Sequence, residues 1–426
     1  MINGRLTARE AAYRLGVKPA TLYSYVSRGL LSRERSPRGS TFDVQEVARL
    51  ARSARHPGGR GPVPGPDGAG AHSRRQESEG EPEEPVFVTG LSLIQDGRLF
   101  YRGLDAVGLS RQHSFEEVAA WLWTGQWPGL DDDFTIPPSA IPALRQALAG
   151  LPPDVLPVER FMVAVVAVSA SDPLRHDLNP AGVPVTARRL IATLCESLPL
   201  HPDDRHRVSS ISGQVWTGLS PLPLTPERQA TMDAALVLTA DHELAPSTLA
   251  ARVAAAFRAD PYAVVMTGLG PASGSWRSGS SGAPSEVETL LHRAAEVGAE
   301  RAVGERLRRT GELPHGFGMP LYPDGDPRAR ELLERAAVIG DPERRAVVEE
   351  LVEVGRGRGF PLPNMDLGLG ALSFCAEMPV GSGQGISTLA KTAGWLAHAI
   401  EEYISPTRFR SRADYVGPAP EATGVS

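Results

Sequence analysis

The chain has 426 residues, 41% of them hydrophobic, which leaves room for roughly two to four domains with substantial cores and excludes a chain disordered throughout. Its two cysteines, Cys195 and Cys375, lie far apart in apolar surroundings, which excludes a disulfide framework and fits buried thiols in a reducing cytoplasm. No stretch approaches the ~18 apolar residues of a membrane helix and the start lacks a charged segment followed by an apolar one, so a soluble, cytoplasmic protein with no membrane partner is expected.

The net charge of −6 is unevenly spread, because residues 1 to 60 carry twelve Lys or Arg against four acids, Glu10, Glu34, Asp43 and Glu46. The basic end reads as a separate module. In "LTAREAAYRLGVKPATLYSYVSRGLL", Thr7 and Glu10 form a capping-box pattern that opens a helix from about Ala8 to Leu15. Gly16 ends that helix, and Pro19 opens a second one to about Ser27 with Leu22 and Val26 inward. Two short helices joined by a glycine turn predict a helix-turn-helix, whose outward residues Thr21, Tyr23, Ser24 and Arg28 are types that reach phosphates and base edges. "RERSPRGSTF" then predicts a basic hairpin wing, and Asp43 with Glu46 caps a third helix through Leu50. Over these 50 or so residues the chain resembles the winged helix-turn-helix of the MerR and excisionase type, with DNA as the implied partner.

From His56 to Pro85 the sequence is Gly, Pro, Ser and Glu with almost no large apolar residue, so a flexible, disordered linker is expected. Helical periodicity dominates from Val86 onward. The stretches "LFYRGLDAVGL", "SFEEVAAWLWTGQWP", "DPLRHD", "LTADHELAPSTLAARVAAAF", "GFGMPLYPDGDPRA", "PLPNMDLGLG", "ISTLAKTAGWLAHAIEEY" and "FRSRADYVGP" follow one another in chain order. In that order they resemble the citrate synthase family.

The resemblance implies a mainly α fold: a citrate synthase-like, two-domain, all-helical body preceded by the small winged helix-turn-helix domain. It implies a head at 1–55, a linker at 56–85, a large domain at 86–277 and 371–426, and a small domain at 278–370 that closes over substrate. The family condenses an acyl-CoA with a 2-oxo acid such as oxaloacetate. An aspartate takes a proton from the acyl methyl group, one histidine stabilises the enol, and another polarises the ketone. The methyl is a very weak acid, so a carboxylate base works only while a donor holds the enolate oxygen.

Asp366 matches that aspartate, and neither catalytic histidine matches. "GSWRSGSS" puts Arg277 at the enol-stabilising position, and "GFGM" puts Met319 where the other histidine is expected. A thioether donates no hydrogen bond and cannot polarise a ketone. His315, four residues earlier, substitutes for it only if the loop rearranges. The resemblance also implies a dicarboxylate site. His242 and Arg328 match oxaloacetate-binding residues, Arg410 matches an arginine that reaches the site from the partner subunit, and Lys391 replaces a third arginine, keeping charge but losing the bidentate fork. Scattered histidines show no metal-ligand spacing, so neither a metal nor a bound cofactor is expected, with a coenzyme A thioester as substrate or ligand. The expected protein is a catalytically impaired regulator or the non-catalytic partner of an intact homologue, as a homodimer or heterodimer. An active citrate or 2-methylcitrate synthase-type acyltransferase of modified mechanism is the alternative.

Overall fold

The structure, a computed structural model, describes residues 5–8, 11–12, 17, 21–22, 25–26, 31–36, 39–43 and 46–47, and then 87–128, 133–152, 154–199, 208–274 and 283–407. Chain contacts separate two units, Met1–Glu84 and Pro85–Ser426.

In the first unit, strands β1 (Arg5–Thr7), β2 (Arg33–Ser36) and β3 (Gly39–Asp43) form an antiparallel sheet in the order β1-β3-β2, with Leu6 opposite Phe42 and Arg33 opposite Phe42 on the other edge. Phe42 is fully buried with Ala11, Ala12, Leu22, Leu31 and Val47. Ala11, Ala12, Thr21, Leu22, Tyr25 and Val26 are helical. Thr7, expected as a helix cap, pairs with Thr41 in the sheet. Thr21 is exposed, whereas Tyr23, Ser24 and Arg28, like the expected linker at 56–85, lie outside the described residues.

The second unit opens with the meander β4 (Ser92–Gln95), β5 (Arg98–Tyr101) and β6 (Leu104–Asp105). Both turns are two residues long, and both residues of each sit at positive φ: Asp96 at 52° and Gly97 at 67°, then Arg102 at 43° and Gly103 at 87°. That conformation matches the twist of paired strands, and Asp-Gly is among the sequences that adopt it at least cost.

After the meander the named elements among the described residues are all helices: α1 (Ala106–Gln112), α2 (Phe115–Thr124), α3 (Ile141–Leu148), α4 (Pro157–Ser169), α5 (Val183–Glu196), α6 (Ile211–Leu219), α7 (Pro226–Thr239), α8 (Pro246–Ala256), α9 (Pro261–Ala272), α10 (Ala283–Val297), α11 (Ala299–Thr310), α12 (Pro327–Ile339), α13 (Pro342–Gly357), α14 (Met365–Cys375) and α15 (Ser382–Ile404). Local signals place many starts. Ser114 and Glu117 form a capping box on α2, and Asp105, Thr225, Asp260, Asp326, Asp341 and Asn364 cap their helices through their side chains. Proline at the first position of α4, α7, α8, α9, α12 and α13 gives up an amide that has no intrahelical partner. No helix among the described residues is long and apolar enough to cross a membrane.

Helix α15 is the axis of this unit. It packs against α2, α4, α5, α7, α8, α9, α10 and α14, and every residue from Ser382 to Ile400 is buried. Small residues allow two close crossings. Trp395 lies over Gly268 of α9, where an added Cβ would stand 2.7 Å from the indole. Gly394 donates its amide to Ala240 O at 3.1 Å, and an added Cβ there would stand 2.4 Å from the same oxygen. The end of α7 is thereby pinned to the middle of α15. Gly394→Ala is expected to cost about 1–3 kcal/mol of stability through overpacking against rigid backbone. Urea unfolding that gives a midpoint equal to that of the unaltered chain would contradict this crossing.

Candidate functional site

After α7 the chain makes the turn Asp241-His242-Glu243, held by the first strand of the meander. The Ser92 hydroxyl donates to Asp241 Oδ2, the Glu243 amide donates to Ser92 Oγ at 3.1 Å, and the Ile94 amide donates to Glu243 Oε1 at 2.6 Å. Glu243 sits at φ 50°, a left-handed conformation that a non-glycine residue keeps only when its surroundings impose it. The Asp241 carboxylate also meets His398 Nε2 of α15 at 3.1 Å. With Gly394 behind it, this turn has little freedom, and His242 is aimed by both neighbours.

The loop between α11 and α12 approaches from the other side. The Gly318 amide donates to Leu362 O at 2.8 Å and the Asn364 amide to Gly316 O at 2.9 Å, so a short antiparallel bridge joins Phe317 to Pro363. Gly316 and Gly318, at φ 97° and 81°, make that pairing possible. Asn364 ties the two segments together, donating from Nδ2 to Gly318 O at 2.9 Å while its Oδ1 accepts the Asp366 amide at the start of α14, also at 2.9 Å. Met319 and Asp366 are therefore delivered to one place by one side chain.

They line a cavity together with His242, Arg328, Lys391 and Asn364. Arg328 is fixed by Asp326 through two bonds, 3.0 Å from Nε and 2.8 Å from Nη2, and its guanidinium lies 5.0 Å from the ring centre of Tyr322. The Tyr322 hydroxyl meets His242 Nε2 at 2.8 Å.

Burial decides the protonation states here. It holds the His242 imidazole well below the usual range, with help from the Arg328 and Lys391 charges, so the ring is neutral near pH 7. Burial lowers the Lys391 ammonium to about 8 against the pull of Asp366. It raises the Asp366 carboxyl against Lys391, His315 and Arg328, although part of this side chain faces the cavity. For Arg328 burial acts downward, but Asp326 more than offsets it and keeps the guanidinium charged.

A family model described as citrate synthase, C-terminal domain, matches residues 83–412. The chain belongs to the citrate synthase family. It is 26% identical over 357 residues to the 2-methylcitrate synthase of Mycobacterium tuberculosis, covering 78% of this chain and 88% of that protein. Similarity to the citrate synthase of Haloferax volcanii is 28% over 364 residues, covering 78% and 93%. Among solved structures, the citrate synthase of Thermoplasma acidophilum in ternary complex with carboxymethyl coenzyme A and oxaloacetate superposes with a TM-score of 0.63 at 23% identity, over 80% of this chain and 96% of that one. The mainly helical citrate synthase fold of the second unit follows.

Of the residues singled out in this citrate synthase-family sequence, the structure brings His242, Met319, Arg328, Asp366 and Lys391 together on one cavity. Arg277 and Arg410 lie outside the described residues. His315 faces Glu286 at 3.6 Å and does not line the cavity. Sequence reasoning missed Tyr322, Asp326 and Asn364. Two of them had a readable signal, since Asp before Pro-Arg and Asn two residues before Asp366 are both N-cap patterns. Tyr322, in a loop without periodicity, had none.

Lys391 has a pKa lower in the folded chain than its ordinary 10.5, so its contribution to stability is complete only above 10.5 and is lost as pH falls through about 8. Near pH 7 it is therefore a net cost, and Lys391→Met is expected to stabilise the fold by on the order of 1–3 kcal/mol there, with the gap closing as pH rises from 8 to 10.5. Urea midpoints at pH 7 and pH 10 check this; a variant less stable than the parent at pH 7 would contradict it.

Proposed function

We propose that the cavity binds a small dicarboxylate of the oxaloacetate type and that the chain condenses it with an acyl-CoA poorly or not at all. The supporting observation is the make-up of the wall: two buried cations, Arg328 and Lys391, and a neutral His242 line the same cavity as Asp366, and so does Met319 of the pinned loop. Two fixed cations suit two carboxylate groups. A methionine at the place of an expected acid leaves a bound ketone unpolarised, and loss of one such donor costs on the order of 100- to 1000-fold in rate.

A coenzyme A thioester is the second ligand in this reading, and the 278–370 region is the small domain that closes over both. The chain works as a dimer, with itself or with a homologue that keeps both catalytic histidines, and Arg410 completes the partner's site. The basic head acts as a DNA reader through Thr21, Tyr23, Ser24 and Arg28, two copies being presented by the dimer as half-site recognition requires.

One observation favours an active enzyme of changed mechanism: burial holds the Asp366 carboxyl above its ordinary range, which makes it a stronger base once ionised. Arg277 would then hold the enolate. Calorimetric titration with oxaloacetate, paired with a thiol-release assay on acetyl-CoA and propionyl-CoA, separates the two. The expected result is saturable binding with thiol release below about one-thousandth of that of an active citrate synthase assayed in parallel. Release at ordinary enzyme rates, abolished by Asp366→Asn, would establish the enzyme and sink the impaired reading.

A further inference from the structure

Of the 44 Lys and Arg residues in the chain, two are lysine, Lys18 and Lys391. Nearly all of its cations are arginine, including Arg328 on the same cavity and the buried Arg252, which binds Glu402 Oε1 at 2.8 Å from Nε and 2.5 Å from Nη2. Lys391 is the exception in the middle of α15. It is 8% exposed, lines the cavity, and has no hydrogen-bond or ion-pair partner at usual distances among the described residues. Charge alone does not explain it, because arginine supplies charge and a carboxylate-matching fork as well. What arginine cannot supply is a free amine, since a guanidinium stays protonated in proteins.

We propose that Lys391 captures the ketone of a bound 2-oxo acid as an imine, with Asp366 carrying the protons. The inference rests on the dicarboxylate reading for its ligand. The Nζ lone pair forms a C–N bond to the ketone carbon, and the carbonyl oxygen takes a proton from the Asp366 carboxyl, giving a carbinolamine once the carboxylate has recovered a proton from nitrogen. A second transfer from Asp366 lets the hydroxyl leave as water. The products are an iminium, a carboxylate and one water, with no oxidant or reductant required. Burial prepares both partners, lowering the amine to about 8 and raising the carboxyl, which favours the neutral forms the first step needs. Met319 then has an explanation. An iminium carbon is already electrophilic, so a histidine that polarises the ketone is dispensable.

The small number of amines makes the test direct, because only Lys18, Lys391 and the N-terminal amine can react. The full chain is incubated with oxaloacetate, treated with borohydride and read by intact mass and peptide mapping. The expected result is one reduced adduct per chain on the peptide holding Lys391, and none there in Lys391→Arg. Malate, a dicarboxylate without a ketone, is expected to suppress the adduct about tenfold when present at ten times its Kd, a control independent of how the variant folds. Calorimetric binding of oxaloacetate with Lys391 left unmodified would overturn the imine while leaving the dicarboxylate reading intact, as would an adduct confined to Lys18 or the N-terminus. An adduct on Lys391 formed equally well by hydroxyacetone and indifferent to malate would keep the imine and overturn the dicarboxylate reading. Neither binding nor adduct would overturn both.

Discussion

Helix α15 is enclosed on all sides, yet it is not apolar on all sides, and the site depends on how that conflict is resolved. A helix buried all round is ordinarily hydrophobic all round, but this one carries Gln384, Ser387, Thr388, Lys391, Thr392, His398 and Glu402 into the interior. Most find partners. Gln384 donates to Ala272 O at 2.7 Å, Thr392 to Thr388 O at 3.2 Å, and Glu402 takes both arms of Arg252. His398 reaches Asp241 and thereby the turn that presents His242. Lys391 turns to the cavity with no hydrogen bond or ion pair among the described residues, and burying its ammonium costs stability.

The same enclosure sets the chemistry of the wall. Desolvation works against charge on His242, Lys391, Asp366 and Arg328 alike, and for Arg328 the pairing with Asp326 more than offsets it. The Arg328 charge adds to burial in lowering the Lys391 ammonium, while Asp366 pulls the other way. Met319 adds to this wall a side chain without any proton of its own.

Much of the body was legible in the chain because its signals are local. Capping residues and first-position prolines mark where helices begin, and the ordered stretches around Asp241-His242, Met319, Pro327-Arg328, Asp366 and Lys391 named five of the cavity residues. The contacts that make those residues a site were not local. Tyr322 reaches His242 across 80 residues of sequence and Asn364 reaches Gly318 across 46, and neither pairing leaves a periodic or compositional trace. Lys391 shows both sides of the problem: its position was readable from resemblance, but its burial is a consequence of α15 being closed in by helices distant in sequence. The head was less legible, for its strand Arg5–Thr7 ends on Thr7, the residue expected to cap a helix.

The measurement that tests the central claim most directly is a crystal structure of the full chain grown with saturating oxaloacetate. The account predicts the ligand inside the cavity, one carboxylate on Arg328, the ketone carbon within bonding reach of Lys391 Nζ, and Asp366 adjacent. Ligand bound elsewhere, or a cavity without ligand at saturating concentration, would contradict it.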